Sequence, residues 1–184
     1  MGGERRGLPI EGFDLGNSPA EYTPAAVGGR TVVFTTTNGT RAMIECRQAA
    51  RVLIGAFVNR TAVVQAVAGA DSLHLLCAGT RREITREDVL LAGSLTFELL
   101  DAGTADYELN DQAIIAHDCW RGAVKALGFA DCISPGGLAE LLKNTRGGRN
   151  LQAIGLEADI QQAAATDRHP IVPELDVAAW RIRT

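Results

Sequence analysis

Histidine is scarce in this chain, basic charge is not in excess, and no apolar run approaches the roughly 20 residues needed to cross a bilayer. Each shortage excludes something. The only histidines are His74, His117 and His169, so a histidine-rich metal centre is not expected and any metal should be hard and bound by oxygen. The four cysteines, Cys46, Cys77, Cys119 and Cys132, are far apart and form no C-x-x-C pair. They read as buried free thiols rather than as a disulfide or zinc framework. A formal net charge of -4 argues against a nucleic-acid binder, because counterion release from phosphates needs a basic surface. The N-terminus, Met1-Gly2-Gly3-Glu4-Arg5-Arg6-Gly7, has no apolar stretch of the signal-peptide kind, and the reading is cytoplasmic, with no membrane partner. There is no G-x-x-x-x-G-K-[ST] loop, no G-x-S-x-G elbow and no Ser-His-Asp arrangement.

With 46% hydrophobic and 22% charged residues over 184 positions, the chain reads as one domain, 1–184, with a sizeable core. The first thirty residues are rich in Gly, Pro, Asn, Asp and Ser and read as an extended, loop-like segment. Residues 31–35 form a β-branched apolar run that suits a central parallel strand buried on both faces. A helical pattern with Ala42, Met43, Cys46, Ala49 and Ala50 on one face follows, then strands over 52–58 and 72–77 around a helix at 60–68 capped by Asn59. The alternation predicts an α/β fold, a parallel or mixed sheet flanked by helices. The second half is helical. Thr85 caps a helix to about residue 100, with Glu87 and Asp88 in a capping-box variant. Asn110 caps another, and Ser134-Pro135 opens a third that ends near 144. A shorter helix spans 157–165, and 171–175 adds an edge strand marked by Pro173.

Thr35-Thr36-Thr37-Asn38-Gly39-Thr40 stands between a strand and a helix. Unpaired N–H groups at a helix start, a glycine that admits close approach and several hydroxyls suit a phosphate; an ordinary turn with an N-cap is the alternative. Gly3-Glu4-Arg5 and Gly12-Phe13-Asp14-Leu15-Gly16-Asn17-Ser18-Pro19 collect the groups of a phosphate and magnesium site. Arg5 can hold phosphate oxygens bidentately, and Glu4 or Asp14 can reach Mg²⁺; a solvated tail is the alternative. Glu87 and Asp88 are an acidic pair at a helix start, fit either for chemistry or for stabilising the helix dipole. His117 beside Asp118 reads as a helix-face histidine, because adjacent helix residues do not face each other.

In this order the words G-E-R, G-F-D-L-G-N-S-P-A-E and T-T-T-N-G-T, with Cys77-Ala78-Gly79, Glu87-Asp88-Val89 and Val172-Pro173, resemble the 2-phosphosulfolactate phosphatase family over nearly the whole chain. The resemblance implies that family's α/β fold and hydrolysis of (2R)-phospho-3-sulfolactate to sulfolactate and phosphate. It also implies Mg²⁺ dependence, a link to coenzyme M or sulfolactate metabolism, and a homodimer. On it, Arg5, Asp14 and Glu87 are expected to be catalytic and Glu4, Asp14 and Asp88 to hold the metal. Asn17, Ser18, Thr36, Thr37, Asn38, Gly39 and Thr40 are expected to bind substrate. Family members carry a further Asp-Val-Leu-Arg-Ala-Thr word that this sequence lacks, so the chain is expected to be N-terminally incomplete. The alternative function is then a truncated or inactive homologue that binds phosphate without turning it over.

Overall fold

The computed structural model describes residues 1–103, 105–128 and 133–184. Its elements are β1 (Gly2–Arg5), β2 (Leu8–Pro9), α1 (Pro24–Val27), β3 (Phe34–Thr35), α2 (Gly39–Glu45), α3 (Arg60–Val67), α4 (Arg86–Asp101) and α5 (Asp111–Ala126). α6 (Pro135–Lys143), α7 (Arg146–Ala153), α8 (Glu157–Ala163), β4 (Glu174–Asp176) and β5 (Arg181–Arg183) complete it. The fold is mixed α/β, with a three-stranded sheet ordered β2-β1-β3 and a separate β4-β5 hairpin. In the three-stranded sheet β1 runs parallel to β3 and antiparallel to β2, so the sheet is mixed.

The helical half supplies the core. Trp120 and Leu90 are fully buried and meet Leu138, Leu142 and Ile160. The Phe57 ring lies against Trp120 with centroids 5.9 Å apart. α4 crosses α5 so closely that a Cβ on Gly93 would sit 2.0 Å from the Ala116 carbonyl oxygen and 2.9 Å from Trp120 Cβ. Only glycine fits there. The caps at Asn110 and Ser134 form as expected. Asn110 Oδ1 accepts from Ala113 N at 2.9 Å and Ser134 Oγ from Gly137 N at 3.1 Å, with Pro135 at the first helical position.

Other expectations need correcting. Thr85 does not cap α4 through the backbone; its hydroxyl donates to Asp88 Oδ2 at 3.0 Å. Asn59 is buried and turns inward, accepting from Ala56 N and donating to the Ile54 and Ile171 carbonyls, because three loop groups there would otherwise be unpaired. The run at 31–35 is not a central buried strand: only Phe34 and Thr35 pair, on the edge of the sheet, and Val33 is 63% exposed. Residues 72–77 are extended without a ladder, and Leu76 is exposed. The run at 52–58 makes one short antiparallel contact, Ile54 N to Pro173 O and Leu175 N to Val52 O, both at 2.8 Å, before turning into a 3-10 segment. The opening thirty residues, expected to be loop, provide β1, the central strand of the sheet.

The expected edge strand shifts to β4 and pairs with β5, placing Glu174 opposite Arg183 and Asp176 opposite Arg181. α7 was not foreseen. Two glycines depress its propensity, but Thr145 Oγ1 caps Gly148 N at 3.2 Å, and a Cβ on Gly148 would strike the Leu142 carbonyl. Cys46, Cys77 and Cys119 are free thiols, but none is fully buried: Cys46 and Cys119 are half-buried and Cys77 is exposed; Cys132 lies outside the described residues. His117 is a helix-face histidine, stacked on Phe97 at 6.2 Å. Among the described residues no helix is long and apolar enough to cross a membrane.

Candidate active site

The threonine loop is positioned by two glycines. Gly3 has φ 141°, and a Cβ on it would lie 2.0 Å from the Thr35 carbonyl oxygen; a Cβ on Gly2 would overlap the Tyr22 hydroxyl. β1 therefore lies hard against β3, with Gly2 opposite Phe34 and Gly3 opposite Thr35. One residue further along, Glu4 reaches the loop that leaves β3.

Glu4 is 7% exposed, and its carboxylate is almost fully occupied. Oε1 accepts from Thr37 N at 2.5 Å, and Oε2 accepts from the Thr37 hydroxyl at 2.9 Å and from Gly7 N at 2.7 Å. Burial by itself pushes this carboxyl up. The N–H groups of Gly7 and Thr37, the Thr37 hydroxyl and the Arg5 charge together outweigh it, so the group titrates below its ordinary value. The Thr37 oxygen also accepts from Arg6 N at 3.1 Å. Arg5 folds along the base of the loop, with Nη1 on the Glu4 carbonyl at 2.9 Å and Nη2 on Thr35 Oγ1 at 3.1 Å.

Within the loop Thr36 and Thr40 brace each other. Thr36 N donates to Thr40 Oγ1 at 3.0 Å and Thr40 N to Thr36 Oγ1 at 3.3 Å. Two of the loop's N–H groups are thus committed within it, and a third, that of Thr37, to Glu4. The N–H groups of Asn38 and Gly39 donate to no described residue and are the ones left for an anion.

A tight turn docks on this loop. Thr80 and Glu83 exchange two backbone hydrogen bonds of 3.0 Å, and Arg81 N donates to Asn38 Oδ1 at 3.1 Å. Arg81 and Arg82 both have positive φ, 56° and 66°, a conformation that costs non-glycine residues about 1 kcal/mol or more each. Gly79, at φ 64°, admits the Glu83 carbonyl, which a Cβ would meet at 2.6 Å. Asp88 holds the turn in place: its Oδ2 accepts from Gly79 N at 2.6 Å and from the Thr85 hydroxyl, while Oδ1 has no partner among the described residues. Sequence reading passed over Arg81 and Arg82. Their turn type is usually announced by Asn-Gly or Asp-Gly, and neither stands here.

Not every expected residue joins this group. Glu87 points away from Asp88: its Oε1 accepts from Gly147 N at the start of α7, 2.9 Å away, and its Oε2 is buried without a partner. Asp14 is exposed and ion-paired with the Met1 ammonium, whose hydrogen bond and charge hold its carboxyl below the ordinary value. Met1 precedes β1 and the loop follows the strand's other end. About 10 Å of strand separates them at the usual rise per residue. Ser18 is buried and donates to Asp159 Oδ1 on α8 at 2.8 Å. Asn17 is exposed, with no partner among the described residues. The structure therefore joins Glu4, Arg5, loop 36–40 and Asp88, and leaves Asp14, Ser18 and Glu87 engaged elsewhere.

For magnesium, no group of three or more His, Cys, Asp or Glu side chains is placed to hold an ion among the described residues. Mg²⁺ needs less than that, because it keeps several waters and binds through one or two carboxylates plus substrate phosphate. Asp88 Oδ1, which has no partner among the described residues, is one carboxylate oxygen that could take such a place.

The family model described as 2-phosphosulpholactate phosphatase matches residues 1–177. A protein of Deinococcus radiodurans named probable 2-phosphosulfolactate phosphatase is 39% identical over the whole of this chain and 73% of its own length. Proteins of the same name from Caldanaerobacter subterraneus subsp. tengcongensis and Synechococcus sp. are 35% and 37% identical, each over 95% of this chain and over 68% and 69% of their own lengths. The chain belongs to the 2-phosphosulpholactate phosphatase family.

Proposed function

We propose that this member of the 2-phosphosulpholactate phosphatase family is a magnesium-dependent phosphoric monoester hydrolase that converts 2-phosphosulfolactate to sulfolactate and phosphate. The observation that carries the reading is the loop at 36–40, in which Glu4 and the Thr36–Thr40 brace consume the inner donors and leave the Asn38 and Gly39 N–H groups free. Fixed N–H groups cost no reorganisation when charge gathers on the phosphoryl oxygens. The Arg5 guanidinium, fixed beside Thr35, contributes positive charge along the same edge. These groups bind and orient the phosphoryl group for in-line attack by water. Magnesium, held through Asp88, would neutralise phosphate charge. The buried Glu4 carboxylate stays ionised at neutral pH and serves as the loop's scaffold, its oxygens already committed to Thr37 and Gly7.

The test is phosphate release from 2-phosphosulfolactate by the chain, with and without Mg²⁺ and after EDTA. Release that needs Mg²⁺ and is lost on replacing the Asn38-Gly39 pair with Pro-Ala supports the reading. No release at any Mg²⁺ concentration overturns it.

A further inference from the structure

The turn that abuts the threonine loop carries two cations that no described residue neutralises. Arg81 and Arg82 are exposed, and neither guanidinium has a hydrogen bond or ion pair among the described residues. Three arginines are ion-paired: Arg51 with Glu174, Arg60 with Glu98, Arg146 with Glu83. The last of these matters most. Glu83 closes the turn and is the nearest acid in sequence, yet it is taken by Arg146. Asp88, the other acid at the turn, holds Gly79 N and the Thr85 hydroxyl. Arg81 is tied through its own N–H to Asn38, a residue that offers one of the two unspent loop donors. The Arg5 guanidinium is held at the loop by Thr35 Oγ1, and Arg6 meets Thr37 Oγ1 through its backbone N–H.

The turn's backbone would be satisfied by Asn-Gly, which adopts positive φ at little cost. Arginine at both positions strains the backbone and adds two forked, permanently charged donors. A loop with two free N–H groups has room for one phosphate and none to spare. The family's substrate carries a carboxylate and a sulfonate besides its phosphate.

We propose that Arg81 and Arg82 form a second anion subsite, reading the sulfonate end of the substrate while the loop holds the phosphate. This rests on the phosphate reading of the loop given above. Removing the pair therefore weakens recognition of the sulfonated molecule and leaves affinity for inorganic phosphate alone.

The experiment compares the chain with its R81N/R82N variant, since asparagine tolerates positive φ and keeps the turn. Calorimetric titration with sulfolactate and, separately, with inorganic phosphate gives the affinities, and turnover of 2-phosphosulfolactate against 2-phospholactate gives the preference. The expected result is a loss of about tenfold or more in sulfolactate affinity, with phosphate affinity within about twofold. The preference for the sulfonated ester collapses in parallel. Equal weakening of both ligands, or no weakening of sulfolactate, overturns the subsite while leaving the loop reading intact. Sulfolactate bound without any phosphate binding would sink the loop reading instead and leave the arginines standing. If the asparagine variant loses its cooperative melt, R81K/R82K carries the same test, because it keeps the charge and removes the fork.

Discussion

Glu4 grips Thr37 twice, through the backbone N–H on one carboxylate oxygen and the side-chain hydroxyl on the other. A carboxylate is the only side chain of this size that can accept at both oxygens, so Glu4→Gln must place an amide N–H₂ against one of these donors. The variant is expected to lose about 1–3 kcal/mol of stability by urea titration. Its phosphate affinity should fall with the order of the loop.

The same contact sets a pH dependence. The folded Glu4 carboxyl titrates below its ordinary value, so its contribution is complete above the unfolded pKa and is lost as pH falls through the folded one. Melting temperatures measured downward from about pH 4.3, the ordinary glutamate value, should fall more steeply in the parent chain than in Glu4→Gln. Parallel curves would count against Glu4 as the titrating group.

Asp88 and Glu87 separate by assay. Asp88→Asn keeps an oxygen to accept from Gly79 N and Thr85, so the turn survives while the free carboxylate oxygen becomes an amide. The Mg²⁺ concentration for half-maximal activity is expected to rise at least about tenfold. Glu87→Ala removes the acceptor of Gly147 N, and its effect should appear in the melting temperature, with magnesium dependence unshifted.

Two glycines in the helical core make an opposed pair. Gly93→Ala forces a methyl into the Ala116 carbonyl and should cost about 1–3 kcal/mol or more as α4 and α5 separate. Gly122 on α5 has open space where its Cβ would be, and Gly122→Ala should stabilise by about 0.5–1 kcal/mol. Denaturant midpoints of the two single variants decide both.

What the sequence disclosed follows the range of the forces involved. α4, α5 and α6 were legible because their caps and apolar faces lie within a few residues of one another, as at Asn110 with Ala113 and Ser134 with Gly137. The strands were read poorly. Residues 31–35 and 72–77 have strand composition, but composition does not say whether a partner lies alongside, and only Phe34 and Thr35 find one. The threonine loop and its neighbours Glu4 and Arg5 were visible as residue types around a strand end. Their wiring was not, because Glu4 and Thr37 are 33 positions apart. Asp14 and Ser18 stood in the same word and seemed to belong with the loop. A strand's length of backbone carries Asp14 to the far end of β1, and Ser18 is drawn into the helical core by Asp159.

That last contact joins positions 141 residues apart. Ser18 leaves the ribosome long before its acceptor on α8 does. Until α8 arrives, the Ser18 hydroxyl, buried in the folded protein, lacks its acceptor. That docking therefore waits on a residue made far later, and a nascent chain halted before residue 159 should leave the segment between β1 and β3 without this anchor even though its own residues are already made.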